Sequence, residues 1–245
     1  MTTTTRTPTI LFIAGYWLGA WAWDEVLAHL RSTDVRAVAI TLPGLDPADP
    51  ARATRTLDDQ ATAISDALSE LGVSADEPAI IVVHSGANAP VSVVLDRHPE
   101  LVARVVWVDS GPVSPAPASA VEPPTQTEGL PLPPFDVLAQ EASLDGLSAE
   151  VLDRFRTRAV PEPGPVVGRP VVLANDDRRR IPTTFICCSI RSAQVQELAQ
   201  AGHPMFAEVA TLEDVEMVDL PTGHWPMWSR PRDLAELVHS AAVRS

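Results

Sequence analysis

Six short apolar runs rich in β-branched residues punctuate the chain: TILFIAG (9–15), RAVAITL (36–42), AIIVVHS (79–85), ARVVWVDS (103–110), TTFICCS (183–189) and VEMVDLP (215–221). Runs of this length with little polar alternation are the pattern of strands buried on both faces, as in a parallel sheet. Between them the pattern turns helical. TLDDQATAISDALSELG (56–72) opens on a Thr-x-x-Asp cap and stops at Gly72, while ANAPVSVVLDRHPE (87–100) follows the third run directly. Strands alternating with helices make βαβ units, so the pattern predicts an α/β protein with a mostly parallel, doubly wound sheet covered by helices on both faces.

One stretch breaks the rhythm. Residues 112–135 hold prolines at 112, 115, 117, 123, 124, 131, 133 and 134, a density that excludes regular helix or central strand. Two short helices are expected next, FDVLAQEA (135–142) and SAEVLDRFRTRA (148–159), before PEPGPVVGRP leads back to the sheet. Residues 112–180 therefore read as an insertion, too apolar for a disordered linker. Lying between two strands, it is placed to fold over their carboxyl edge as a small cap on a core made of residues 1–111 and 181–245.

Composition narrows the chemistry. A chain of 245 residues that is 45% hydrophobic can bury one substantial core. Its formal charge is -14 and every basic residue is arginine, so no broad positive face is available for phosphates and a nucleic-acid partner is not expected. The absence of lysine removes Schiff-base chemistry and the phosphate-binding lysine of a P-loop. The apolar run near the start spans about six residues, too short for a signal core or a membrane span, so the expectation is a cytoplasmic protein with no membrane partner. Nothing in the sequence sets an oligomeric state. Cys187 and Cys188 are neighbours that face opposite ways on a strand, which makes them core thiols and not a staple.

Four constellations carry candidate chemistry. In IIVVHSGANAP (80–90) a strand ends at a sharp turn holding Ser85 and a helix starts at once, the context that lifts a serine Oγ clear of a sheet edge. Gly86 and Ala87 supply the small residues such a turn needs; Val83 does not. In DLPTGHWPMWSRPRDLAELV (219–238) a strand runs into Gly223 and His224, and a helix signalled by Ser229 and Pro231 follows. His224 is thus on a loop at a strand's carboxyl end, where α/β sites lie, whereas His29, His98 and His239 fall on helices, His203 in a helical region, and His84 points away from Ser85 if the strand alternates. A base of this kind needs a carboxylate to fix its tautomer. After TTFICCS the first acid is Glu197, too far along, so Asp109, ending the run after the serine's helix, is the better candidate and Asp219 the alternative. In FIAGYWLGAWAW (12–23) a glycine loop after the first strand exposes backbone N–H groups that could hold an oxyanion, Tyr16 with Gly86.

AGYWLGAWAW, VHSGA and PTGHWP, in this order, resemble the α/β-hydrolase superfamily, in particular its esterase and hydroxynitrile lyase branch, whose first loop typically reads HGAWHGAWCW. The resemblance spans nearly the whole chain. It implies a nucleophile at Ser85, a base at His224 and oxyanion donors at Tyr16 and Gly86, in the order serine, acid, histidine. Three positions depart from the pattern: Ala14 replaces a histidine, Val83 replaces the first glycine of the serine turn, and the acid is missing from its usual place after TTFICCS. Asp109 is similar to the acid of superfamily members, among them haloalkane dehalogenases and some lactone hydrolases, that carry it one strand earlier. A serine argues against dehalogenation, and the lack of lysine argues against the cyanohydrin reaction of the lyases. The expected activity is hydrolysis of a carboxylic ester or lactone with no metal and no cofactor. Trp17, Phe135, Phe155, Trp225 and Trp228 are the candidate walls of a site for a largely apolar small molecule. Two other readings are a binding protein on the same scaffold and a lyase or acyl transferase of the same fold.

Overall fold

The computed structural model describes residues 9–116 and 129–244; residues 1–8, residue 245 and residues 117–128, which include three of the prolines above, lie outside the described residues. Six strands form one parallel sheet: β1 Thr9–Ile13, β2 Arg36–Ile40, β3 Ala79–His84, β4 Val102–Val108, β5 Thr183–Cys187 and β6 Val215–Asp219. Their order is β2-β1-β3-β4-β5-β6. From β1 the chain moves to one edge, and from β3 onward it proceeds to the other. The carboxyl ends of β1 and β3 therefore flank the point where the winding reverses, the place where open α/β sheets leave a crevice.

The main helices are α1 Asp24–Leu30, α2 Leu57–Glu70, α3 Asn88–Arg97, α4 Phe135–Leu138, α5 Ala149–Arg158, α6 Ser192–Gln200, α7 Pro226–Ser229 and α8 Pro231–Val243. Alternation along the strands sends Ile10, Phe12, Val82 and Val106 to one face, packed with Val26 of α1 and Leu234 and Val238 of α8. Leu11, Ile13, Val83 and Trp107 go to the other, with Ile64 of α2, Val91 of α3 and Val195 of α6. Burying each such aliphatic side chain stabilises by roughly 1.5–3 kcal/mol, which is why the two faces, and not helix propensity, hold the layers together. Cys187 and Cys188 fall in opposite faces and both are free thiols.

Local signals set the ends. Thr56 and Asp59 form a reciprocal cap on α2, with Asp59 N–H donating to Thr56 Oγ1 at 3.1 Å and Thr56 N–H to Asp59 Oδ2 at 2.8 Å, and Gly72 turns the chain away at φ 77°. The helix expected from residue 87 begins with a tight turn over 85–87 and ends at Arg97, because the residue before Pro99 avoids helical geometry. The helix after His224 comes in two pieces, each with proline in its first turn.

Between β4 and β5, α4 and α5 lie beside a single antiparallel bridge, Leu130 with Glu162. Phe155 of α5 is fully buried, its ring 5.7 Å from Phe135, 5.4 Å from Trp225 and 5.1 Å from Trp228. This aromatic cluster fixes the segment to the sheet layer. Among the described residues no helix is long and apolar enough to cross a membrane.

Candidate active site

Five loops at the carboxyl edge, after β1, β3, β4, β5 and β6, build the site. After β1, Gly15 makes the close approach: a Cβ there would stand 2.7 Å from Ser85 Cβ, 2.8 Å from His84 O and 3.0 Å from Gly86 N. The loop after β1 and the turn after β3 are therefore in backbone contact, and the Tyr16 ring lies over Gly86, where an added Cβ would be 2.5 Å from Tyr16 Cδ1. After β3, Ser85 sits at φ 50° and its carbonyl accepts the Ser110 hydroxyl at 2.8 Å. Val83 is fully buried on the α2 and α3 face, in register between Ile13 and Trp107, so its branched side chain belongs to the core and not to the turn.

His224 arrives from β6 on a loop clasped by residues 143–145, which lie between β4 and β5. His224 N–H donates to Ser143 O at 2.8 Å and Gly223 N–H to Asp145 O at 3.2 Å. Glycine is required at 223 because a Cβ would meet Asp145 O at 2.6 Å. From below, the His84 ring donates Nε2–H to the His224 carbonyl at 2.7 Å. Burial, then the neighbouring His224, pulls the His84 pKa down to about 3, so that ring is neutral and its one proton is committed to this bond. The His84 ring packs with Trp23 and Trp225 on the face of α1 and α8 and lies under the loop of His224, the two histidine ring centroids 4.9 Å apart.

The side chains form one chain of hydrogen bonds. His224 Nε2 is 2.8 Å from Ser85 Oγ and Nδ1 is 2.6 Å from Asp109 Oδ2. A carboxylate can only accept, so Nδ1 carries the proton and Nε2 is left to accept from the serine hydroxyl. Asp109, at φ 44°, is held on its other side by the loop after β5: Oδ1 accepts the N–H groups of Cys188 at 3.0 Å and Ser189 at 2.9 Å, and Oδ2 the Ser189 hydroxyl at 2.6 Å. Burial opposes the Asp109 charge, but the bonds from His224 and Ser189 prevail and hold its carboxyl below the usual range. The loop after β5, which lacks an acid, thus supplies donors to the acid at the end of β4, one strand earlier. Asp219 is elsewhere occupied, accepting Ser192 N–H at 2.7 Å at the start of α6, and Glu197 is exposed on that helix.

These groups open on a cavity of about 440 Å³. Tyr16, Gly86, Trp17 and Trp225 line it, together with Asn88, Met205 and Phe206, which no sequence motif singles out. Phe135, Phe155 and Trp228 are a correction to the sequence reading: they do not line this cavity, because they are spent on one another in the aromatic cluster between α5 and the sheet layer. Among the described residues no group of three or more His, Cys, Asp or Glu is placed to hold a metal ion.

A parallel sheet with a serine turn, a histidine loop and a strand-end aspartate meeting at its winding reversal defines the α/β-hydrolase class. A sequence model described as "Alpha/beta hydrolase family" matches residues 10–237, and the chain belongs to that family. Among curated proteins, it is 30% identical over 100 residues to one from Oryza sativa subsp. indica named "Probable esterase PIR7A", covering 40% of this chain and 37% of that protein. The chain spans about a third of the length of the curated relatives it matches. Among solved structures, the Arabidopsis methylesterase MES16 superposes with a TM-score of 0.74 at 16% identity, over 97% of this chain and 100% of that one. A variant of tomato methylketone synthase I complexed with β-ketoheptanoate gives 0.72 at 17% identity, over 97% and 98%. At these identities the structures establish the fold.

Proposed function

We propose that the protein is a serine hydrolase that cleaves a carboxylic ester or lactone of a small, largely apolar substrate. The observation that carries this reading is the unbroken hydrogen-bonded chain from Ser85 Oγ through His224 to Asp109, opening on a cavity. In it, Ser85 Oγ attacks the substrate carbonyl while His224 Nε2 takes its proton, and Asp109 stabilises the imidazolium that forms. The backbone N–H groups of Tyr16 and Gly86 receive the developing oxyanion. His224 then returns the proton to the leaving alkoxide, and a water activated by the same histidine releases the acid from Ser85. No metal or cofactor takes part in these steps. Residues 112–180 act as a cap over the cavity, with Trp17 and Trp225 as its apolar walls. The two free thiols agree with a reducing, cytoplasmic setting.

Labelling with a fluorophosphonate tests the nucleophile. Wild type is expected to be modified at Ser85, and Ser85→Ala to be unlabelled and to lose ester hydrolysis. A folded wild type that is not labelled, or a Ser85→Ala variant as active as wild type, overturns the proposal. Product analysis in water, with and without an alcohol acceptor, separates hydrolysis from acyl transfer.

A further inference from the structure

His224 has to be carried far from its own strand to reach the serine. Its loop leaves β6, three positions from β3 in the sheet order, and at about 4.8 Å per strand the two strand ends stand about 14 Å apart. Asp219 ends β6 and His224 lies five residues on, a length that spans at most about 18 Å, so the loop crosses the ends of β5 and β4 with little slack. A base at the end of such a span needs a hold where it arrives.

The hold comes from the serine's own strand. His84, the last residue of β3, is 1% exposed, and its Nε2–H donates to the His224 carbonyl at 2.7 Å. The His224 N–H donates in turn to Ser143 O at 2.8 Å, so the backbone of the base is bonded at both its donor and its acceptor. The His224 ring bonds Ser85 Oγ at 2.8 Å, and Ser85 is joined covalently to His84. His84, Ser85 and His224 thus form a closed circuit of covalent and hydrogen bonds, and the distance from base to nucleophile is set inside it. The His84 ring is braced by Trp23, 6.4 Å away at 87°, and by Trp225 at 6.5 Å. Its Nδ1 is buried with no hydrogen-bond partner. An apolar side chain such as Val82, two residues back on the same face, avoids that desolvation cost, so packing alone does not account for a histidine here.

We infer that His84 is a positioning residue: by donating to the His224 carbonyl it holds the base within reach of Ser85 Oγ and ties the histidine loop to the nucleophile's strand. The inference rests on the hydrolase reading above. It gives the residue before the serine a task in turnover, whereas Val83, on the opposite face, serves the core.

The test compares wild type with His84→Phe, which keeps a ring between Trp23 and Trp225 and removes the donor, and with His84→Gln, whose side-chain N–H can stand in for Nε2–H. A misplacement of about 1 Å in a reacting group can cost on the order of a hundredfold in rate. For His84→Phe, kcat on a p-nitrophenyl ester and the rate of fluorophosphonate labelling are each expected to fall about tenfold or more, with KM within about threefold. For His84→Gln both are expected to recover to within about threefold of wild type. A smaller loss in the phenylalanine variant, a change confined to KM or to melting temperature, or a glutamine variant as impaired as the phenylalanine one overturns the inference. Should the variants not fold, the nitrogen-15 shifts of His84 in wild type decide: Nε2 is expected to carry the proton and Nδ1 none near neutral pH, and the opposite tautomer, which cannot donate to the carbonyl, overturns it. Failure of wild type to label with fluorophosphonate would instead refute the hydrolase reading, whatever the tautomer of His84.

Discussion

Asp109→Asn isolates what the aspartate does, because the substitution changes one atom and the surrounding donors dictate how the amide must sit. At Oδ1 two backbone N–H groups, of Cys188 and Ser189, converge at 3.0 and 2.9 Å, so the asparagine oxygen has to take that place. Its NH2 then falls where Oδ2 was, facing His224 Nδ1–H and the Ser189 hydroxyl, each 2.6 Å away. The hydroxyl can rotate to accept; the ring cannot, and relieves the opposition of two donors only by moving its proton to Nε2. That nitrogen, 2.8 Å from Ser85 Oγ, then donates to the serine and can no longer take its proton. The loss of charge adds to the loss of tautomer. A comparable substitution in a serine protease triad lowers kcat by about four orders of magnitude, equivalent to about 5.5 kcal/mol of barrier, and a similar loss is expected here. The assay is kcat for a p-nitrophenyl ester, with circular dichroism to show that the variant is folded. Retention of more than a tenth of wild-type kcat would refute the reasoning, as would an equal loss in Asp219→Asn, whose carboxylate serves only α6 in this structure.

Three further outcomes follow from the geometry. Gly15→Ala would put a methyl 2.7 Å from Ser85 Cβ and 2.8 Å from His84 O, against backbone that cannot yield; turnover should fall at least about a hundredfold, the cost of losing an oxyanion donor, and a fully active alanine variant would show that the two loops are not in contact. Phe155→Ala empties the centre of the aromatic cluster and should cost about 3–5 kcal/mol in denaturant titrations, where a loss below about 1 kcal/mol would mean the inserted segment is not anchored there. Glu162 bears on pH. Burial, at 1% exposure, pushes its carboxyl up to about 7, against a hydrogen bond from Gln60 Nε2–H at 2.9 Å. Because the folded state binds the proton more tightly than the unfolded state, this group's contribution is fully present below about pH 4.5 and is lost as pH rises through about 7, by at most about 3 kcal/mol. Melting temperatures of wild type and Glu162→Gln should therefore diverge between pH 5 and 8, with the variant gaining at the higher pH, and a constant gap would contradict the assignment.

Much of this was open to reading because strand-end position is encoded in hydrophobic pattern. Five of the six strands fall inside the apolar runs and β4 starts one residue before its own, and Ser85, Asp109 and Gly223-His224 are legible as neighbours because each follows the carboxyl end of one of them. The likeness of three motifs to a known family adds the order of the groups. What pattern does not reveal is who donates to whom. Ser189 and the Cys188 amide hold Asp109, but a serine and a backbone N–H after a strand have no distinguishing sequence signal. Alternation sends His84 to the face of Trp23 and Trp225, as it does Val82, but no pattern shows that the loop of His224 folds back over the strand end to meet its ring. The aromatics fail for a different reason. Phe135, Phe155 and Trp228 have the same composition signature as a cavity wall, and only packing decides whether a ring faces a ligand or another ring.

The strained residues draw the same boundary. Among the described residues, those other than glycine with positive φ are Trp17 at 68°, Ser85 at 50° and Asp109 at 44°, one on each of three loops that reach the cavity. Each such conformation costs on the order of 1–3 kcal/mol and persists only if something holds it. The holders are the Ser110 hydroxyl on Ser85 O, the loop after β5 on Asp109, and residues 130 and 160 on Trp17. A neutral hydrogen bond returns about 0.5–1.5 kcal/mol and one to a charged group about 1.5–3, so the one bond on Ser85, the two on Trp17 and the three on Asp109 are of the size needed to offset the strain. None of the holders is adjacent in sequence to the residue it restrains. The serine turn therefore does not need the glycine that Val83 displaces: its shape is fixed by partners reaching across the carboxyl edge, while Val83 fills the layer beneath.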